Sequence, residues 1–435
     1  MSIEHVVMIL VVTALAVFVT GLPIGFALGS VALIYTFFLW GPHALGVAAL
    51  AGMASMQPWI LVALPLFILL GMILERSGVG NAMYDTLYKW MGPINGGLAI
   101  GTVIMCTLIA AMVGIMGAGI VTAGVVAMPA MFRRQYDKRM VMGSIMSGGV
   151  LGTLIPPSIP MILYSLYAKQ SVGKMFAGGI IPGLILSALY CIYIGIRCFL
   201  NPKMGPALPP EERVGLKEKV ISLRGSILPV LLIVTVLGSI FSGAATPTEA
   251  AAVGALGAAL CAVVYRKFSW RMIIDACYRT TKLTGLIMWI MVGIGCFNSF
   301  FMGMGGAHLV EGLTVGVNPW AVLIGMQLSL FIMGMFLDDY AIVMICAPIY
   351  APVIKSLGFD PLWFGILFIM NMQMAMLTPP YGFATFYMRA LVPKDILMTD
   401  IWRAVTPFVV LQAIGLIVVM IFPKLALLIP GLLFK

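Results

Sequence analysis

Proline interrupts the apolar segments of this chain at matched places, and that limits its fold more than any other feature. Residues 153–158 read TLIPPS and residues 376–380 read MLTPP, each after one long apolar segment and before another. The flanking prolines repeat too. Pro129, Pro156 and Pro182, spaced by 27 and 26 residues, answer to Pro348, Pro379 and Pro407, spaced by 31 and 28. Proline inside a helix removes a backbone hydrogen bond and breaks or kinks the helix.

The segments so broken belong in a membrane. Of 435 residues 62% are hydrophobic and only 9% are charged, with a mean hydropathy of +1.11. A soluble domain averages about 25% charged residues, so this chain has too few to cover a water-facing surface. Stretches such as 226–241, 248–265, 283–303 and 401–434 are of the length needed to cross roughly 30 Å of hydrocarbon, some with little to spare. The N-terminus has no basic leader and no small-residue cleavage site, so its first apolar run reads as a retained span.

Composition excludes several classes. Seven cysteines stand singly, mostly in apolar segments, without a CxxC pair, and three histidines lie far apart. They read as small apolar residues, not as metal ligands or disulfides. The formal charge of +10 could suggest nucleic acid, but in a polytopic membrane protein Lys and Arg report orientation. HExxH, GxSxG and GxxxxGK[ST] are all absent, which argues against an enzyme and against direct use of ATP.

Crossings are predicted near 6–20, 23–40, 58–74, 139–168 and 177–200, then near 226–241, 248–265, 283–303, 361–392 and 403–430. Two further stretches, 97–132 and 319–353, are interrupted by GIMGAG and GMFLDD. At about 35 residues each they are too long for one span and fit two half-helices, a re-entrant hairpin. Each half then has five crossings and one hairpin. Five is odd, so the second half starts on the opposite side and the repeats are inverted. The predicted organisation is a first repeat over 1–200, a cytoplasmic linker over 201–225 and a second repeat over 226–435.

Charge supports this map. RRQYDKR at 133–139, after the first hairpin, has four basic residues and one acid, whereas KSLGFD at 355–360, after the second, has one of each. By the positive-inside rule the first hairpin opens to the cytoplasm and the second does not. The basic connections 197–224 and 266–282 also fall inside, and both termini fall outside, in the periplasm.

Irregular backbone survives at membrane depth only where it lines a protected cavity. Two hairpin tips and two broken spans at the midplane place half-helix ends around one point, the arrangement of a transporter's binding site. Loose carbonyls there suit a cation such as sodium, and half-helix N-termini suit an anion.

The motifs LGTLIPPSIP at 151–160, SGAATPTEAAAVGA at 242–255 and LTPPYG at 377–382, supported by ALPLFILLGMIL at 63–74, carry a resemblance. The chain resembles the large membrane subunit of TRAP (tripartite ATP-independent periplasmic) transporters, the DctM-like family, over essentially its whole length. The resemblance implies an all-α polytopic inner-membrane protein of two inverted repeats with discontinuous helices, working as an elevator within the ion-transporter superfamily. It implies coupling of sodium entry to uptake of an organic acid, with sodium as coupling ion and no cofactor. The implied partners are a periplasmic, DctP-like binding protein and a small four-helix, DctQ-like membrane subunit, here expected as a separate polypeptide.

By the same resemblance, a first sodium site would use Gly114, Gly117 and Ala118 of the first tip with Gly149, Gly152, Ile155 and Pro157 of the first break. A second would use Gly334, Asp338 and Asp339 with Met376, Thr378 and Pro379. The substrate carboxylate would lie near Ser158, Thr378 and Gly382, with Arg389 a further candidate. Many members read GISGSAVAD where this chain has GIMGAGIVT at 114–122. Met116, Ala118 and Thr122 thus replace two serines and an aspartate, which points to a less polar organic acid than a sialic acid.

Plainer readings stand beside these. Asp338 and Asp339 would cap the second half-helix of their hairpin, alone or together with a role at the ion site. Glu249 in TPTEAAA reads as a helix cap with Thr246 and Pro247. Arg389 and Lys282 lie near span ends, where snorkelling accounts for a cation. The Ala/Gly-rich run 242–259 serves close helix packing. The alternative function is a stand-alone sodium/divalent-anion symporter needing no binding protein, but its SNT-like hairpin tips are absent.

Overall fold

Hydrocarbon offers no partner to a peptide N–H or C=O, so a spanning chain must satisfy these groups internally. In the computed structural model, which describes residues 3–434, helices do so throughout, and no β-strand occurs among the described residues. The first half runs α1 (Ile3–Val19), α2 (Ile24–Trp40), α3 (Leu45–Ala54), α4 (Ala63–Arg76) and α5 (Val79–Met91). It continues with α6 (Gly97–Val113), α7 (Met116–Arg133), α8 (Lys138–Val150), α9 (Ile159–Tyr167) and α10 (Val172–Leu200). A short α11 (Leu216–Ser222) leads to α12 (Arg224–Phe241), α13 (Pro247–Val264), α14 (Trp270–Gly303) and α15 (Gly306–Thr314). Then follow α16 (Pro319–Gly334), α17 (Asp339–Ser356), α18 (Pro361–Leu377), α19 (Phe383–Leu391), α20 (Met398–Ile421) and α21 (Lys424–Leu433).

Among the described residues eight helices are long and apolar enough to cross a membrane, counting α11 with α12 and α4 with the turn before it. They include α7 and α17, the second arms of the two stretches expected to be hairpins. Those stretches do turn in the middle: α6 meets α7 across Gly114 and Ile115, and α16 meets α17 across residues 335–338. The two predicted broken spans are α8 with α9 and α18 with α19, each interrupted at its Pro-Pro pair.

The broken spans start alike. Asp137 accepts from the N–H groups of Arg139 (3.0 Å) and Met140 (3.1 Å), and Asp360 from those of Leu362 (2.7 Å) and Trp363 (3.3 Å). Each aspartate lies 19 residues before the first proline of its break, Pro156 or Pro379. The cap fixes where the helix begins, and the prolines fix where it must stop.

These two helices are the centre of the molecule. Every residue of α8 from Met140 to Val150 is buried, and so is every residue of α18 from Leu362 to Leu377. A helix that is apolar all round belongs in such a place. By contrast α2, α12 and α13 leave large apolar side chains exposed, among them Phe38, Val234, Leu256 and Leu260. Outside, α14 packs along α2, α3 and α4, and α4 along α13. Inside, each half-helix after a break packs on the second hairpin arm of the other half: α9 on α17, and α19 on α7.

Some boundaries differ from the sequence reading. The crossing expected at 283–303 is the latter part of a 34-residue helix, α14. The one expected at 403–430 is split into α20 and α21, because Pro423 follows the last turn of α20. The short helices α3, α5, α11 and α15 lie outside every predicted crossing, being too short or too polar to read as spans. The polar segment 201–225 is ordered on the first half: Gly96 N–H donates to Gly205 O (2.7 Å), Asp137 N–H to Met204 O (3.0 Å) and Leu208 N–H to Gly92 O (2.8 Å).

Candidate functional site

The first tip is built from main chain. Gly114 ends α6 with φ +67°, a left-handed conformation that glycine adopts without steric cost. Its carbonyl accepts a long hydrogen bond from Ile159 N–H, 3.4 Å away across the break. A Cβ on Gly114 would collide with the Pro157 carbonyl oxygen. One on Gly152 would stand 3.1 Å from the Ile115 carbonyl oxygen, and one on Gly119 would stand 3.1 Å from both the Cα and the carbonyl oxygen of Gly149. Tip and break thus meet backbone to backbone, as close-packed small residues allow. Ala118 and Ile155 are both buried here.

Ser158 is also buried, and its hydroxyl is occupied inside the break. It donates to the Thr153 carbonyl and accepts from Met161 N–H, capping α9. The first turn of α7 differs, because its N-cap residue Ile115 offers no side-chain acceptor to the free N–H groups.

The second tip is more polar. Asp338 caps α17 by accepting from Ala341 N–H at 2.8 Å, and the buried Asp339 accepts from Tyr340 N–H at 3.1 Å. Gly334 ends α16 against α18, where an added Cβ would meet Ala375 and stand 2.9 Å from the Met372 methyl. Met376 is buried near the end of α18, and the Thr378 hydroxyl donates to Met374 O at 2.8 Å. Past Pro379, Gly382 has φ +43°, and an added Cβ would stand 3.0 Å from Thr378 O. Gly382 begins α19 without a side-chain cap. Both Pro-Pro bonds, Pro156–Pro157 and Pro379–Pro380, are cis.

One residue absent from the sequence reading reaches the first tip from the other half of the chain. The ring of Tyr387 on α19 lies over Gly117 of the first tip, with Cζ 2.8 Å and Oη 3.0 Å from where a Cβ would be. The same tyrosine is an electrostatic neighbour of Asp339 and Tyr340 at the second tip. A lone tyrosine four residues before the end of an apolar half-helix gives no local sign of this role. A second such pair ties α18 to the hairpin. Asn371 Nδ2 donates to the carbonyl (2.6 Å) and the side-chain oxygen (2.7 Å) of Gln327 on α16. Arg389 stands apart, its guanidinium donating to the Ile396 carbonyl beyond the end of α19.

The family described as “Tripartite ATP-independent periplasmic transporter, DctM component” matches residues 11–425. The chain belongs to the DctM family. Several DctM relatives align along nearly their whole length. The C4-dicarboxylate TRAP transporter large permease protein DctM of Pseudomonas aeruginosa is 34% identical over 399 residues, covering 91% of this chain and 92% of its own. The ectoine TRAP transporter large permease protein TeaC of Halomonas elongata is 30% identical, covering 98% and 99%. The sialic acid TRAP transporter large permease protein SiaM of Vibrio cholerae is 30% identical, covering 95% of each. Among solved structures, the YdaH transporter of Alcanivorax borkumensis superposes with a TM-score of 0.61 over 90% of each chain at 15% identity, a likeness of fold. This DctM chain is therefore a multi-pass membrane protein and the large permease component of a TRAP transporter.

Proposed function

We propose that this chain imports an organic acid together with sodium, as the large inner-membrane subunit of a TRAP transporter working by an elevator motion. The carrying observation is Tyr387, which lies over Gly117 of the first tip from the half-helix α19 that follows the second break, and this contact supports one site shared by both halves. The two halves act as inverted repeats, with both hairpins re-entrant and both termini in the periplasm. The alike Asp137 and Asp360 starts and the crossed packing of α9 on α17 and α19 on α7 support that reading.

The coupling ions bind where the tips meet the breaks. The last carbonyls of α6, α8, α16 and α18 lack intrahelical partners, and oxygens of this kind suit sodium. The first site uses Gly114, Gly117, Ala118, Gly149, Gly152, Ile155 and Pro157, and the second Gly334, Asp338, Asp339, Met376, Thr378 and Pro379. The close glycine contacts fit the first site, since they leave main-chain oxygens unshielded by side chains. The buried Asp339 carboxylate fits the second. The substrate carboxylate lies between the uncapped N-termini of α7 and α19, close to Gly382, Thr378 and Ser158. A dicarboxylate, as named for the Pseudomonas aeruginosa relative, is the first substrate class to test. A periplasmic binding protein delivers the acid, and a small membrane subunit stands beside this chain; one relative is named as a DctMQ permease, of which this chain covers 64%.

Thermal unfolding of the purified protein in sodium, against equal choline or potassium, tests the coupling ion without knowledge of the substrate. A ligand that binds only the folded state raises its stability by mass action. A rise specific to sodium is expected. An equal midpoint in all three salts, with sodium-independent uptake in proteoliposomes, would remove sodium from the mechanism.

A further inference from the structure

A polar groove of about 440 Å³ lies between α5 and α7, away from both tips. Residues 81, 84, 85 and 88 of α5 face residues 126, 130 and 133 of α7, with Arg134 just beyond them. The spacing on each helix is that of a single face. At one end the helices nearly touch, where a Cβ on Gly80 would stand 2.6 Å from the Thr122 methyl. At the other end the basic run Arg133, Arg134, Lys138 and Arg139 begins, with Arg134 donating to the Tyr88 hydroxyl at 3.3 Å.

The groove holds an unused donor and an unused charge. Tyr84 is buried, at 6% exposure, and its hydroxyl has no hydrogen-bond partner among the described residues. Such a group costs free energy unless something satisfies it. The other charges are matched: Asp85 pairs with Lys89, and Arg134 with Glu212 while also reaching Tyr88. Arg133 lines the groove and has no ion pair among the described residues. Asn81 adds an amide.

We infer that this groove binds the phosphate of an anionic lipid headgroup. The phosphate accepts from the Tyr84 hydroxyl and the Asn81 amide and neutralises Arg133. A phosphate has the acceptor oxygens and the charge that a guanidinium with neighbouring neutral donors lacks. Basic pockets between membrane helices are where such headgroups bind. A free inorganic phosphate has the same chemistry, and the test separates the two sources. The inference is independent of the site between the tips.

The full chain, stripped of lipid in detergent, is titrated with phosphatidylglycerol or phosphatidylcholine and read by native mass spectrometry. Thermal midpoints are measured in parallel with inorganic phosphate against chloride at equal ionic strength. Tyr84→Phe keeps the ring and removes only the hydroxyl; Arg133→Gln removes the charge; Arg139→Gln controls for surface charge outside the groove. Wild type should bind phosphatidylglycerol in preference to phosphatidylcholine. Tyr84→Phe and Arg133→Gln should each weaken that binding by roughly tenfold, and Arg139→Gln should not. A midpoint rise in phosphate that Tyr84→Phe abolishes, without lipid preference, would keep the site and make its ligand a free anion. Equal binding by all four proteins, an equal loss in Arg139→Gln, or no response to either probe overturns the inference.

Discussion

Asn298 on α14 donates from Nδ2 to the Met344 carbonyl on α17 at 3.0 Å, and that carbonyl is free because Pro348, four residues on, has no N–H. A side chain of one helix thus repairs the hydrogen-bond ladder of another. Asn298→Leu should lower stability by about 0.6–2 kcal/mol, the range for interhelical hydrogen bonds in membranes. Denaturant unfolding in mild detergent reads this directly. The second arm of the hairpin should also become more accessible to a thiol reagent at an engineered cysteine, and unchanged labelling would deny that Asn298 anchors it.

Gly114 has no room for a side chain against the Pro157 carbonyl, and Gly152 has room for none larger than a methyl against the Ile115 carbonyl. Gly114→Ala and Gly152→Leu should each abolish sodium-dependent uptake while the protein still inserts in the membrane. Uptake at wild-type rates in both variants would remove the first tip from the site.

The observed cap of Asp338 can be separated from its proposed role at the ion site. Asn caps a helix about as well as Asp, whereas Ala forfeits about 0.5–2 kcal/mol. Asp338→Ala should lose both stability and sodium response. Asp338→Asn should recover the unfolding midpoint but not the sodium-induced shift. Full recovery of that shift by asparagine would leave Asp338 a cap and nothing more.

The contact of Gly117 with Tyr387 predicts coupling between the halves. Gly117→Ala pushes a methyl into the tyrosine ring, and Tyr387→Ala makes room for it. The double variant should be less impaired than the two single effects summed, with an interaction of about 0.5–3 kcal/mol. Additive losses would mean that the ring is not held against the tip.

Lys138 and Asp395 join the start of α8 to the loop before α20 at 3.1 Å, and this hydrogen bond holds the Asp395 carboxyl below the usual carboxylate range. A depressed pKa adds stability above the unfolded value, about 3.9, and that stability is lost as pH falls through the folded value. The midpoint difference between wild type and Lys138→Gln should therefore exist at neutral pH and vanish in acid. Both groups are exposed, so added salt should shrink it as well.

Much of this architecture was legible because proline and glycine act locally. Pro156 and Pro379 announced the two breaks, and GIMGAG and GMFLDD the two turns, since each residue type restricts its own backbone whatever surrounds it. The family followed from motif order. What could not be read was partnership across distance. Asn298 meets a carbonyl 46 residues away, Asn371 meets Gln327 44 residues away, and Tyr387 meets a glycine in the other half. A single polar residue in an apolar helix carries no sign of what it will face. The short helices α3, α5 and α15 were missed for another reason: a reading that looks for spans passes over helices that do not span. From the sequence Ser158 reads as a neighbour of the substrate carboxylate, and its hydroxyl is engaged within the break, donating to the Thr153 carbonyl and capping α9.

Where Gly119 meets Gly149, hairpin and broken helix approach through main chain, with the Ile120 side chain packed on Gly149. Evolution usually retunes a binding site by exchanging one side chain for another. At the proposed site a Cβ on Gly149 must first displace Ile120, main chain included, so fit would be lost before preference could drift. On the proposed reading, change of cargo would be pushed outward, to surfaces where a mutation can alter what is held without undoing what holds it.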